Sequence, residues 1–263
     1  MHPIRKIAGA IWAVWGFICF VVTMLLFMIP FIFINYQKEP RRTQWFIAVA
    51  RVWMAIFMPL IGCPVSIRGR NNFAKGENYI VLCNHNAFID VPVSSPGIPG
   101  GNKTIAKAEL AKVPVFGMLY SMGSVLVDRK SEGSRRESFM NMKNILGMGL
   151  HMCLYPEGTR NRSQDPLRPF HDGAFRLAIA TRKPLMPSLI FNSRIVMPET
   201  PKFYLWPHRM RLHFLPPVPI GENDTVETLR EKLFQIMRDY YIANDIDKAH
   251  QKGFPQRRKV SKP

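Results

Sequence analysis

The feature that most restricts the fold is an uncharged stretch running from Ile7 to Ile34. It is longer than the roughly 20 residues that cross a hydrocarbon core, which argues against a helix buried in a soluble domain. A small basic cluster, Arg5-Lys6, precedes it, and it ends in Phe31-Ile32-Phe33-Ile34 with no small-residue cleavage site. It therefore reads as a retained membrane helix and not as a cleaved leader. Pro30 is expected to kink or end that helix, since proline lacks an N–H and its ring crowds the preceding turn. The link Gln37-Lys38-Glu39-Pro40-Arg41-Arg42 leads into a second apolar helix, interrupted by Arg51, that stops before Gly62. Two apolar helices around a short basic link predict an N-terminal membrane-embedded helical hairpin. Positive charge lies at both ends of the first helix, so the orientation rule leaves spanning and re-entrant arrangements both open.

Beyond Gly62 the periodicity changes to short β-like runs alternating with helical ones. That pattern predicts an α/β domain with a central mostly parallel or mixed sheet flanked by helices. Expected strands are Val65–Arg68, Tyr79–Cys83, Lys103–Ala106, Ser124–Val127, His151–Tyr155, Leu185–Phe191 and Met210–Leu215. Helices are expected over Gly133–Leu150 and Asp172–Thr181, and from Asp224 onward, where Glu227 three residues later suggests a capping box. The organisation is then residues 1–62 as membrane anchor, 63–247 as the α/β domain and 248–263 as a basic tail.

Lys and Arg number 36 against 18 Asp and Glu, a formal net charge of +18, beside 47% hydrophobic residues. This combination fits a chain held against membrane lipids or handling anionic substrates. No nucleic acid partner is expected, because no DNA- or RNA-binding signature is present. Cys19, Cys63, Cys83 and Cys153 show no CxxC spacing and lie in or beside apolar segments. They are expected to be buried free thiols in a reducing compartment, forming neither disulfide nor metal site. Together with the anchor this places the α/β domain on the cytoplasmic face of the inner (plasma) membrane.

The chemistry begins at Asn84-His85-Asn86-Ala87-Phe88-Ile89-Asp90, just past a buried strand. A histidine near neutrality takes a proton from an alcohol, and a carboxylate on its far nitrogen fixes the tautomer and stabilises the imidazolium. Five residues along a continuous helix turn through roughly 500°, so His85 and Asp90 meet only if the chain turns between them. No serine or cysteine stands in an elbow beside them, which favours direct attack by a substrate hydroxyl. A second element, Tyr155-Pro156-Glu157-Gly158-Thr159-Arg160, also follows a strand, with Arg162 and Arg168 beyond it. Glycine for close approach, a hydroxyl and forked guanidinium donors suit a phosphate. Lys107 and Arg129 end two further expected strands, and ligands of open α/β sheets gather at such ends.

Taken in order, these blocks resemble the glycerolipid acyltransferases typified by lysophosphatidic acid acyltransferase. The resemblance covers about Asn78 to Phe191. It rests on His85 four residues before Asp90, on Lys107 through Pro114-Val115-Phe116-Gly117 to Gly123–Arg129, on Tyr155–Ser163 with Pro169-Phe170 and Gly173-Ala174-Phe175, and on the strand with Pro187. It implies that His85 and Asp90 are catalytic and that Asn84, Lys107, Arg129, Glu157, Gly158, Thr159 and Arg160 bind substrate. It also implies a lysophospholipid acceptor, acyl-CoA or acyl carrier protein as donor, and neither cofactor nor metal. Two departures stand out: Asp172 replaces the usual lysine, and Val91–Gly100 is a poor helix former. Asp172 keeps a lyso-aminolipid acceptor open. Outside this chemistry, the rival is a non-catalytic basic membrane protein.

Overall fold

The computed structural model describes residues 3–113, 116–128, 131–201 and 203–247. Arg129, Pro114, Val115 and the tail 248–263 lie outside them. Helix α1 (Pro3–Asn35) packs on α2 (Arg41–Leu60). The inward stripe of α1 is made of small residues, Gly9, Ala13, Gly16, Cys19 and Thr23. Tyr204 packs against Gly9 and Leu205 against Gly16, while Trp53 of α2 stacks on Phe20 and Phe27 and donates from Nε1 to Thr23 Oγ1 at 2.9 Å. The outward stripe of Ile4, Ile11, Ile18, Leu25 and Ile32 recurs every seven residues and is exposed. Both helices are long and apolar enough to cross a membrane.

Pro30 does not end α1, which continues to Asn35. Its last turns are held by Phe31 and Ile34, both buried, with the Phe31 ring against Phe46 and Trp53. This packing outweighs the single hydrogen bond that proline forfeits. The link after α1 is less a free basic turn than a staple. Glu39 accepts from Lys103 Nζ at 2.8 Å and from Arg42 and Thr43, tying the hairpin to the sheet. Burial would raise its pKa, but these donors outweigh that and hold it at about 2.

The α/β part follows in the order β1 (Val65–Arg68), β2 (Ile80–Cys83), α3 (Asp90–Gly97), β3 (Asn102–Lys107), α4 (Phe116–Met122), β4 (Ser124–Val127) and α5 (Glu132–Gly147). It continues through β5 (His151–Leu154), α6 (Gly173–Thr181), β6 (Leu185–Phe191), α7 (Ser193–Val196), β7 (Met210–Phe214) and α8 (Val226–Asn244). The strands form one sheet in the order β1-β7-β6-β2-β5-β3-β4. Neighbours are parallel except β6 and β7, which run antiparallel, so the sheet is mixed. Side chains of β2 alternate across it. Val81 and Cys83 join the core beneath the hairpin and α3, while Ile80 and Leu82 join the core under α5, α6 and α8.

Two local expectations fail. Asp90–Gly97 is a helix despite Pro92 and Pro96, because Pro92 sits in the first turn, where an N–H has no helical partner anyway. Pro96 falls in the last turn, and the carbonyls there accept from Arg51 and Arg70. The cap of α8 is Thr225 with Thr228, not Asp224 with Glu227. Asp224 instead accepts from Gly221 N at 2.7 Å and closes the preceding turn.

Candidate active site

Strands β2, β5 and β6 are adjacent and parallel, so the loops leaving them emerge at one edge. The first loop turns back at once. Asp90 is fully buried at the start of α3, where the helix dipole favours a negative charge. Its Oδ2 accepts from Asn86 N at 2.5 Å, Ala87 N at 2.7 Å and His85 Nδ1 at 2.9 Å. With a carboxylate as acceptor, the proton lies on Nδ1 and Nε2 keeps its lone pair. The imidazole is 20% exposed, so it reaches solvent while its partner does not. The Tyr155 ring lies 4.5 Å from it, and the Tyr155 hydroxyl is fixed by Ser94 Oγ of α3 at 2.7 Å.

The second loop locks the first. Glu157 Oε1 accepts from His85 N at 2.7 Å, its Oε2 accepts from Arg168 N at 2.9 Å, and Asn161 N donates to His85 O at 2.6 Å. Both backbone groups of His85 are thereby held by residues some seventy positions away. Glu157 is 1% exposed, and burial pushes its pKa up to about 7. Arg194, just past β6, supplies the buried cation between the loops. It donates to Asn86 Oδ1 at 3.0 Å, Ser163 O at 2.9 Å and Asn161 O at 3.1 Å.

Two residues expected to contact substrate are turned inward. Asn84 is fully buried and bridges β2 to β6, donating to Ile190 O at 3.0 Å and accepting from Ile190 N at 2.7 Å. Glu157 is a brace, as its two backbone donors account for both oxygens. Gly158, Thr159, Arg160 and Lys107 do stand at this edge. Gly158 has φ +67°, and a Cβ there would come within 2.6 Å of the His171 ring, so glycine suits both the backbone and the close approach. Thr159 is exposed. The Arg160 guanidinium lies 3.8 Å over the ring of Phe88 and pairs with Glu199 at 3.0 Å, a carboxylate it shares with Arg162. Two arginines on one carboxylate leave a net positive charge. Lys107 is exposed at the end of β3, loosely paired with Glu109 at 3.9 Å, and β5 separates its strand from β2. Arg129 lies outside the described residues.

Asp172 does not remove a cation from this edge. Its carboxylate pairs with Arg230 of α8 and, at 3.4 Å, with Arg176, so its charge is spent on fastening α6 to α8. Sequence reasoning missed Arg194. The available signal was a charged residue directly after a buried apolar strand, the same placement that singled out the other loops. All four cysteines are free and buried.

Residues 64–191 match the acyltransferase family model. The sheep 1-acyl-sn-glycerol-3-phosphate acyltransferase alpha is 30% identical over 195 residues, which is 70% of this chain and 65% of that relative. The Salmonella typhimurium 1-acyl-sn-glycerol-3-phosphate acyltransferase is 30% identical over 137 residues, 51% of this chain and 56% of its own length. The chain thus spans just under two thirds of the sheep relative. The crystal structure of the 1-acyl-sn-glycerophosphate acyltransferase PlsC from Thermotoga maritima shares the fold, with a TM-score of 0.77 over 91% of this chain and 97% of that one, at 21% identity. The match to the acyltransferase family thus runs over β1 to β6, residues 64–191, just under half of the chain.

Proposed function

We propose that the protein is an O-acyltransferase that moves a fatty acyl group from a thioester donor, acyl-CoA or acyl carrier protein, to the free hydroxyl of lysophosphatidic acid, giving phosphatidic acid. The observation that carries this reading is His85. Its Nδ1 is tied to a fully buried carboxylate, its backbone is held on both sides, and its Nε2 is left to meet an alcohol. Nε2 takes the hydroxyl proton as the oxygen attacks the thioester carbonyl. The tetrahedral intermediate then expels the thiolate, which recovers that proton, and His85 returns to its starting form. Asp90 stabilises the transient imidazolium. The acceptor phosphate is held by Arg160 and Thr159, with Lys107 from the end of β3 and with Arg129 as the sequence resemblance implies, and Gly158 allows the close approach. Holding it fixes the hydroxyl against Nε2, and such positioning is where rate is gained.

The hairpin supports the same reading. Acceptor and product are lipids, and drawing an acyl chain into water costs about 0.8 kcal/mol per CH₂. An enzyme seated in the bilayer, with its α/β domain on the cytoplasmic face, avoids that step.

The test follows labelled acyl transfer from acyl-CoA to lysophosphatidic acid by washed membranes carrying wild type or His85→Ala. Loss of product with membrane association intact is expected. Equal product from the two overturns the assignment.

A further inference from the structure

A groove of about 390 Å³ lies between α2, α3 and β1, with Met54, Met58, Ile67 and Val93 among its walls and Arg51 and Arg70 on its border. Arg51 is the one charged residue between Arg42 and Gly62. Placing an arginine at the centre of a membrane helix costs about 2.5–3.5 kcal/mol on insertion scales, so such a residue calls for a partner. Part of its capacity is used locally. Arg51 Nε donates to Pro96 O at 3.0 Å, Arg51 Nη2 to Ile98 O at 2.9 Å and Arg70 Nε to Gly97 O at 3.3 Å.

These contacts cap the C-terminal end of α3, but a helix end carries only about half a negative charge. Two full positive charges converge on it, and no carboxylate among the described residues pairs with either guanidinium. Most of the positive charge is therefore uncompensated at the edge of an apolar groove. A free inorganic anion would gain nothing from the methionine, isoleucine and valine walls. A molecule with an anionic head and a hydrocarbon chain uses both halves, and a volume near 390 Å³ lies in the range of small-molecule sites.

We propose that this groove holds one anionic glycerophospholipid, its phosphate on Arg51 and Arg70 and the upper part of an acyl chain against Met54, Met58, Ile67 and Val93. This lipid is distinct from the one that reacts. It bridges the hairpin to α3, the helix whose first residue is Asp90. The inference rests on the hairpin sitting in a bilayer and not on acyl transfer.

The experiment titrates the full-length protein, purified in a neutral detergent, with phosphatidylglycerol or phosphatidylcholine and counts retained lipid by native mass spectrometry. The wild type should retain one phosphatidylglycerol in preference to phosphatidylcholine. Arg70→Gln, at an exposed side chain, should weaken that binding about tenfold, the scale of one charge-assisted hydrogen bond. Arg51→Lys, which keeps the charge where Arg51→Gln risks the cap of α3, should retain the preference for the anionic lipid. His85→Ala should bind phosphatidylglycerol as the wild type does, which separates this site from the proposed reaction. Equal retention of the two lipids, undiminished binding by Arg70→Gln, or full displacement by millimolar inorganic phosphate overturns the proposal.

Discussion

Asp90→Asn isolates the charge of the buried acid from its shape. The three donors that converge on Oδ2 can still be met by an amide oxygen, so the turn from His85 to Asp90 is retained. What disappears is the negative charge facing the imidazolium that forms during proton transfer. The Nδ1–Oδ2 distance is 2.9 Å, and the delocalised charges are centred farther apart. At about 4 Å, with an effective dielectric of 20, the attraction is about 4 kcal/mol. That corresponds to roughly a thousandfold in rate. The loss should fall on kcat, because the imidazolium exists in the transition state and not in the bound ground state. The assay is release of the donor's thiol at saturating lysophosphatidic acid, in membranes matched for protein content. A variant that stays folded and keeps more than a tenth of the wild-type kcat would refute the reasoning, as would a loss confined to KM.

Two further predictions concern the clamp. Arg194→Leu leaves Asn86 Oδ1, Asn161 O and Ser163 O without their donor, at about 1–3 kcal/mol for each buried group left unsatisfied. Thermal unfolding should register a loss of several kcal/mol with Arg194→Lys in between, and a stability equal to wild type would remove Arg194 from the clamp. Glu157 has a folded-state pKa raised from 4.5 to about 7, so the folded protein resists ionisation that the unfolded chain accepts. Stability from this group is therefore intact below pH 4.5 and declines as pH rises through about 7, by about 3 kcal/mol in all. Glu157→Gln should flatten that limb when unfolding is compared at pH 5 and pH 8, and an unchanged difference between the two would show that Glu157 is not the titrating group.

The sites that sequence reading located are those whose logic is local. His85 and Asp90 are five residues apart, and their pairing needs only one turn at a strand end. Gly158 announces close approach by its own lack of a side chain. For Asn84 and Glu157 the resemblance implies substrate contact, while the structure shows Asn84 bonded to Ile190 of β6 and Glu157 to the backbone of His85 and Arg168. Such partners are invisible until the strands are placed side by side. Arg194 was missed for the same reason, since it gains its meaning from two loops that are remote in the chain. Propensity misled at Val91–Gly100, where prolines sit in a helix short enough for both to fall in its end turns.

The sequence alone determined the long uncharged first helix, the alternation of strands and helices, and the acid beside the histidine, because hydrophobic period and short-range turns are written in neighbouring residues. Only the tertiary structure decided the mixed strand order, the continuation of α1 past Pro30, the inward roles of Asn84 and Glu157 and the convergence of Arg51 with Arg70. Each of these depends on which distant groups satisfy a buried hydrogen bond or charge, and that pairing exists only once the chain has closed upon itself.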